Sequence, residues 1–218
     1  MAIAVFVALW LTFIIGMALR QQYLIVRSQR QGLLRASARF GGRLESVSWF
    51  ESPSIRMWKG NFEANVRFIG SGPSGQTQFR IPWIDPQLTC SVRRRQVIDR
   101  LVFTRQEQPI DLAAPLLDDG YVVIGNDESR IRRLLSARVQ TTLIHLLAMP
   151  VAFYLDRPDV QLSISDGLFV VTKSSRITES YALEAFIYMC AELHDAALVA
   201  AGPRGVDVTG ASESKPCA

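Results

Sequence analysis

The sequence predicts an α+β protein with an N-terminal transmembrane helix. A soluble domain follows, in which amphipathic helices, including a long C-terminal helix, pack on a mainly antiparallel sheet. Three observations predict this fold. No charged side chain occurs from Ala2 to Leu19, residues 49–95 alternate between apolar and polar with period two, and two later segments repeat apolar residues at helical spacing.

The uncharged N-terminal segment has the length of a membrane span. Eighteen helical residues extend about 27 Å, close to the roughly 30 Å hydrocarbon thickness of a bilayer. Two alternatives are a buried core helix and a secretory signal cleaved near Gly16-Met17-Ala18. A secretory signal carries a basic start and a shorter apolar core, whereas the first basic residue here is Arg20. We therefore favour a retained anchor.

Basic residues after the span predict its orientation. Six arginines precede Glu45, the first acidic residue: Arg20, Arg27, Arg30, Arg35, Arg39 and Arg43. Positive charge near a span is retained on the cytoplasmic side, so we expect a single-pass inner-membrane protein, N-terminus out. We divide the chain into an anchor helix with its juxtamembrane extension (1–28), a cytoplasmic α+β domain (29–200) and a disordered tail (201–218). Gly41-Gly42 should end the first helix.

Alternating residues predict strands in the first half of the domain. Phe62, Ala64, Val66 and Phe68 share one face, and Glu63, Asn65 and Arg67 share the other. A second strand contains Phe79, Ile81 and Trp83, and a third contains Leu88, Cys90 and Val92. Because Pro82 has no backbone N–H, we expect its strand to be an edge strand or locally bulged.

The second half mixes strands and helices. A short strand covers Tyr121 to Ile124, and Asn126 or Asp127 should cap a single helix that ends at Pro150. The apolar stretch 141–155 contains His145 and Pro150 and is short, so we expect a core helix and a loop rather than a second span.

Asp166-Gly167 is the strongest local signal in the chain. This pair separates two apolar strands, as a type I′ hairpin turn requires. A two-residue turn pairs Ile164 with Phe169 and Leu162 with Val171. Thr178 should then cap a final helix with one apolar face, made of Leu183, Phe186, Ile187, Cys190, Leu193 and Ala197.

The order of these elements resembles a known arrangement. A strand ends in Gly125-Asn126-Asp127-Glu128, a helix contains Arg132-Arg133-Leu134-Leu135, and the hairpin 162–170 precedes the last helix. This order is similar to the C-terminal part of a broad group of uncharacterised bacterial membrane-anchored proteins. The resemblance covers residues 115–198 and implies architecture and membrane context, with no activity or catalytic residue to carry over.

The sequence predicts no catalytic residue, metal site or cofactor. His145 and His194 are the only histidines, and Cys90, Cys190 and Cys217 lack the spacing of a metal or disulfide framework. Cys190 and His194, one helical turn apart, could pair, but we expect a packed thiol beside a half-exposed imidazole. Turn formation and helix capping account for Asp118-Asp119 and Asp127-Glu128, and the turn 72–75 lacks the lysine of a phosphate loop.

Basic residues are the only functional signal that we find in the domain. The candidate contacts to anionic lipid or to an acidic protein partner are Arg27, Arg30, Arg35, Arg39, Arg67, Arg80 and Arg93. The alternative is a solvated strand face beside an ordinary positive-inside cluster. Nucleic acid is not an expected partner, because basic and aromatic residues do not interleave on one surface.

Two functions follow from these observations. The first is a non-catalytic interaction or scaffold domain tethered to the inner membrane surface. The alternative is a membrane-bound enzyme or ligand-sensing domain, with a pocket between sheet and helices that Trp49, Trp58 or Trp83 could line.

Overall fold

The computed structural model describes residues 2–45, 53–70, 75–95, 109–110, 120–149, 159–177 and 179–201. Helix α1 (Ala2–Phe40) precedes strands β1 (Arg43–Glu45), β2 (Ser54–Lys59), β3 (Phe62–Ile69), β4 (Gln76–Pro82), β5 (Cys90–Arg94) and β6 (Tyr121–Gly125). Helices α2 (Glu128–Leu134) and α3 (Ala137–Ala148), strands β7 (Val160–Ser165) and β8 (Leu168–Lys173), and helix α4 (Ser180–Ala201) complete it. The α+β class predicted from the sequence is confirmed.

The described strands form one antiparallel sheet in the order β1-β2-β3-β4-β8-β7-β5-β6. Strands β1 to β4 are neighbours in sequence order, but the β7–β8 hairpin lies between β4 and β5. The two central strands β8 and β7 therefore come from the last hairpin in the sequence.

Helix α1 continues without a break from the apolar segment into the domain. Its first part is exposed, and Val5–Phe40 contains an 18-residue window with a mean hydropathy of 1.5, long and apolar enough to cross a membrane or to act as a signal sequence. Its last part is packed, because Leu33 and Ala36 belong to the core. Gly41, at φ +70°, follows its end, as the sequence predicted.

Helices α1 and α4 lie side by side and run in the same direction. Gln29 Nε2 donates to the carbonyl of Ile177 at 3.5 Å, just before α4, and Arg39 Nη1 reaches Glu184 Oε1 at 3.0 Å one and a half turns into α4. A Cβ on Gly32 would lie 2.9 Å from the backbone of Ser180, so a side chain here would push the helices apart. The domain is thus joined directly to α1.

The core lies between the helices and one face of the sheet. The largest fully buried side chains on this helix-covered face include Phe79, Phe169 and Phe186. The six residues predicted for the apolar face of the last helix are all buried there: Leu183, Phe186, Ile187, Cys190, Leu193 and Ala197. The opposite face of the sheet, which we call the outer face, carries the polar residues that alternate with the core.

The β7–β8 hairpin has the predicted turn and register. Ile164 pairs with Phe169 and Leu162 with Val171. Asp166 and Gly167 have φ angles of 52° and 70°, the positive values of a type I′ turn. Turn chemistry and the apolar pattern therefore specify the same register.

The single helix predicted before Pro150 is two helices. α2 ends at Leu134 and α3 begins at Ala137, after the extended residue Ser136. The side chain of Gln140 donates to the carbonyl of Leu135 at 2.7 Å, which satisfies a group that the break leaves open. Apolar residues keep their helical spacing across this break, so periodicity alone does not reveal it.

The expectation of an edge strand at Pro82 is wrong. β4 pairs with both β3 and β8, and Pro82 is its last residue, beyond the β3 register. Its missing N–H therefore interrupts no ladder on that side. Several predictions lie outside the described residues: the turn at 71–74, Asp118-Asp119, Pro150, the cap at Thr178 and the tail from 202.

Candidate functional site

Lys173, at the end of β8, is fully buried on the helix-covered face. Its Nζ donates to the carbonyls of Leu146 at 2.6 Å and Leu147 at 3.4 Å in the last turn of α3. These carbonyls have no partner within the helix, and the helix C-terminus favours a positive charge. Burial lowers the pKa of Lys173 to about 8, although Cys190 and Asp159 oppose the shift. Lys173 therefore connects the sheet to α3.

His194 is buried, and the half-exposed position expected from the sequence is wrong. Its exposed fraction is 1%, because the rings of Phe62, Trp83 and Phe169 meet it edge-on at centroid distances of 5.7, 5.9 and 5.2 Å. Burial and the charge of Lys59 lower its pKa to about 4, against a smaller opposing effect of the Pro82 carbonyl. The imidazole is neutral near pH 7.

Cys190 and His194 do not have the ionisation states of a catalytic pair. Burial raises the pKa of the Cys190 thiol well above its usual value, although Lys173 opposes the shift. Cysteine chemistry requires a thiolate, and a general base must be able to take up a proton near neutral pH. Both groups are enclosed by core side chains and serve packing, as expected for Cys190.

The acidic residues around α2 act as a helix cap and in ion pairs. Asp127 caps α2 by accepting from the backbone N–H of Arg130 at 3.1 Å, as predicted, and Glu128 pairs with Arg132 at 2.7 Å. Asp85 pairs with Arg130. Within the described ranges no cluster of His, Cys, Asp and Glu could hold a metal ion.

The basic residues of α1 differ in their contacts. Arg35 Nη1 donates to Ser180 Oγ at 3.2 Å, and Arg39 pairs with Glu184 and lies 5.4 Å over the ring of Tyr188. Both arginines thus link α1 to α4. Arg27 and Arg30 are exposed on α1 close to where the domain begins, so they remain accessible.

Arg67, Arg80 and Arg93 lie on the outer face. Arg67 and Arg80 occupy neighbouring strands, and Arg67 Nε donates to Gln78 Oε1 at 2.9 Å. Burial, followed by the charge of Arg80, lowers the pKa of Arg67. Arg93 is on β5, separated from β4 by the β7–β8 hairpin. Towards β6 the outer face is less accessible, since Val122 is 2% exposed, whereas β2 to β4 and β7 carry exposed or half-exposed side chains on this face.

The seven predicted arginines do not form one surface. The four on α1 lie on the helix-covered side of the sheet, because α1 packs there through Leu33 and Ala36, whereas the other three lie on the outer face. One contact with a flat bilayer cannot include both groups. Sequence reasoning gave the face of each strand but not which face α1 covers.

The three tryptophans proposed to line a pocket are in different environments. Trp83 is buried and stacks on Phe169 at 5.8 Å, while Trp58 is 60% exposed on the outer face. Trp49 lies outside the described residues. Of the two among these that the structure describes, Trp83 faces the space between the sheet and the helices.

No protein-family model, curated protein or solved structure matches this chain. The resemblance of residues 115–198 to membrane-anchored proteins therefore stays a prediction. A possible N-terminal membrane anchor or signal sequence, followed by an α+β domain, is what sequence and structure establish together.

Sequence reasoning missed three residues that organise the structure. None of them was singled out from the sequence: Lys173 at the end of a strand, Gln29 in the juxtamembrane extension, and Gly32, which carries no periodic signal. All three lie at junctions between elements distant in sequence. A signal for Lys173 was available, since it occupies an inward position in the alternation of β8.

Proposed function

We propose that this chain is a non-catalytic interaction domain tethered to the inner membrane surface by α1, with its N-terminus outside and its domain in the cytoplasm. One observation carries the proposal: α1 is a single helix whose exposed apolar part continues into a part packed in the domain core. A span built in this way attaches the domain to the membrane and also fixes its orientation relative to the span.

The distance along α1 supports a contact between the domain end and the lipid headgroups. Gln29, where docking begins, is about 14 Å along the helix from Arg20, and the headgroup layer is roughly 5–8 Å thick. Arg27 and Arg30 lie about 10 and 15 Å along the helix from Arg20, close to the headgroup layer, and can extend their side chains back towards the phosphates. We therefore assign the anionic-lipid contact to Arg27 and Arg30, and not to Arg35 and Arg39, which contact α4.

Substitution in the span tests the tether. Leu11→Lys places a charge in the middle of the apolar segment, at a cost of roughly 2.5–3.5 kcal/mol for insertion. Leu34→Lys, on the exposed side of the docked part, is the matched control. After alkaline carbonate extraction, we expect the wild type and Leu34→Lys in the membrane pellet and a large fraction of Leu11→Lys in the supernatant.

One outcome would contradict the anchor: an intact mass showing that the membrane-fraction protein lacks its first residues, as cleavage after Ala18 would produce. Another would contradict the orientation: digestion of the domain by protease added to intact cells. For the lipid contact, Arg27→Gln/Arg30→Gln should weaken binding to phosphatidylserine vesicles, and Arg35→Gln/Arg39→Gln should change it less.

One observation favours the alternative of a ligand-sensing domain. Trp83 Nε1 and both ring nitrogens of His194 are buried and make no well-aligned hydrogen bond to the described residues, although the Pro82 carbonyl lies near enough to His194 to oppose the fall of its pKa. Buried polar atoms of this kind are usually satisfied by ordered water or a ligand. A small molecule that raises the melting temperature of the wild type but not of His194→Leu would support this alternative.

A further inference from the structure

We propose that the outer face of the sheet around Arg67 and Arg80 binds an acidic, extended segment of a partner protein. This inference rests on the proposed function and names the partner class of the tethered domain. We call the surface formed by Trp58, Arg67, Gln78 and Arg80 the outer-face patch.

The charge balance of the outer-face patch points to an anionic partner. Arg67 and Arg80 are diagonal neighbours on β3 and β4, with Cα atoms about 8 Å apart. No carboxylate of the described residues pairs with either guanidinium. The neighbouring acids are already used, since Glu45 and Glu63 pair with Arg56 at 2.8 and 3.4 Å. Two like charges therefore lie together with their attraction for an anion unmet.

Hydrogen bonds hold Arg67, one member of this pair, in place. Gln78 lies directly opposite Arg67, accepts from its Nε at 2.9 Å and donates to Thr172 Oγ1 at 3.2 Å on β8. The side chain of Arg67 is therefore oriented before any ligand arrives. An oriented guanidinium loses less conformational freedom when it binds a carboxylate.

Trp58 adds an apolar contact to the same face. It projects from β2 and is 60% exposed, although large aromatic side chains are usually covered. Strand spacing places it about 12 Å from Arg80 and about 14 Å from Arg67. A chain of about four or five extended residues bridges these distances. Trp and Arg are both enriched among the residues that contribute most of the binding energy at protein interfaces.

The orientation of the sheet favours a protein over a lipid surface. β3 runs alongside α4, because Phe62 meets His194 near one end of α4 and Phe68 meets Arg176 just before the other. Since α1 is parallel to α4, the outer face stands along the axis of α1 and faces away from it. A bilayer crossed by α1 cannot lie flat on that face.

The test uses the full chain in neutral nanodiscs and a fluorescein-labelled polyglutamate peptide, followed by fluorescence anisotropy. We expect Arg67→Gln/Arg80→Gln to weaken binding at least about tenfold, or about 1.4 kcal/mol. Trp58→Ala, measured with a polyglutamate peptide that carries one central tryptophan, should weaken binding about threefold. The matched control is Arg132→Gln/Arg133→Gln, which removes the same charge from the exposed side of α2 and should leave binding nearly unchanged.

Several results would overturn the assignment. An equal loss of peptide affinity in both double variants would mean that only the net charge of the protein matters. An unchanged peptide affinity in Arg67→Gln/Arg80→Gln would exclude the outer-face patch as the binding site. If this variant instead loses binding to phosphatidylserine vesicles while peptide binding persists, the face contacts lipid. A melting temperature at or above that of the wild type shows that the variant is folded. The same peptide titration, repeated on the full chain in detergent, does not require membrane insertion, so failure of the tether and failure of the patch are distinguishable.

Discussion

The two faces of the sheet differ in whether their charged and titratable side chains have partners within the domain. On the helix-covered face, Lys173 is buried but its Nζ binds the carbonyls at the end of α3, and His194 stays neutral among aromatic rings. On the outer face, Arg67 and Arg80 are half-exposed neighbours without a described acidic partner. Charges that serve the fold are satisfied internally, whereas these two arginines form the binding patch proposed above.

Removing an aromatic side chain from the helix-covered face should have the largest effect. Phe79 is fully buried, and Phe79→Ala leaves a cavity, so we expect the free energy of unfolding to fall by about 3–5 kcal/mol. Arg80→Ala, the next residue on the outer face, should change it by less than about 0.5 kcal/mol. Chemical denaturation followed by far-UV circular dichroism compares them. Similar losses would mean that the outer face is also structural.

His194 should make stability depend on pH. Its folded pKa of about 4 lies below the unfolded value of about 6.5, so the unfolded chain binds more protons between these values. The free energy of unfolding should therefore be highest above about pH 6.5 and should fall by about 3 kcal/mol as the pH is lowered to 4. His194→Leu should remove this pH dependence, and the exposed His145→Gln should retain it. Melting temperatures measured across this pH range test the prediction. If the melting temperature of His194→Leu still depends on pH as in the wild type, the pH dependence does not come from His194.

The α1–α4 junction should tolerate no added side chain at Gly32. In Gly32→Ala, the new Cβ meets the backbone of Ser180 at 2.9 Å, so we expect a loss of about 1–3 kcal/mol in stability. Gly16→Ala is the control, since no atom lies within 4 Å of its Cβ and alanine favours a helix. Thermal unfolding in mild detergent measures both. A neutral Gly32→Ala would mean that α1 and α4 are not tightly packed.

The smallest expected effect concerns the bonds that orient Arg67. Gln78→Ala removes two side-chain hydrogen bonds, at a cost of about 1 kcal/mol. Gln161→Ala, exposed on β7 of the same face, should cost less than about 0.5 kcal/mol. Denaturation curves separate the two values, and equal curves would show that Arg67 is not held by Gln78.

Local signals predicted the local structure well. The β7–β8 register follows from Asp166-Gly167 and the alternating residues, and the apolar stripe of α4 follows from its spacing. The strand order did not follow, because the insertion of this hairpin between β4 and β5 depends on contacts between distant segments. The break at Ser136 was hidden because apolar spacing continues through it.

The candidate site was predictable only in part. Alternation placed Arg67, Arg80 and Arg93 on the polar side of their strands. It could not reveal that α1 covers the other side, because the residues that fix this docking, Gln29 and Gly32, are small or polar. His194 was misplaced for a similar reason: the rings that bury it come from β3, from β8 and from the residue after β4.

In the proposed tether, the direct junction of α1 and α4 makes the domain follow the tilt of α1 as a rigid body. Helix α4 extends about 33 Å from its start beside α1, at roughly 1.5 Å per residue. Spans change their tilt with bilayer thickness, commonly within about 0–40°. A 20° change in the tilt of α1 would swing the far end of α4 by roughly 11 Å. A bilayer that thins or thickens would thus move the outer face, with no flexible linker to absorb the motion.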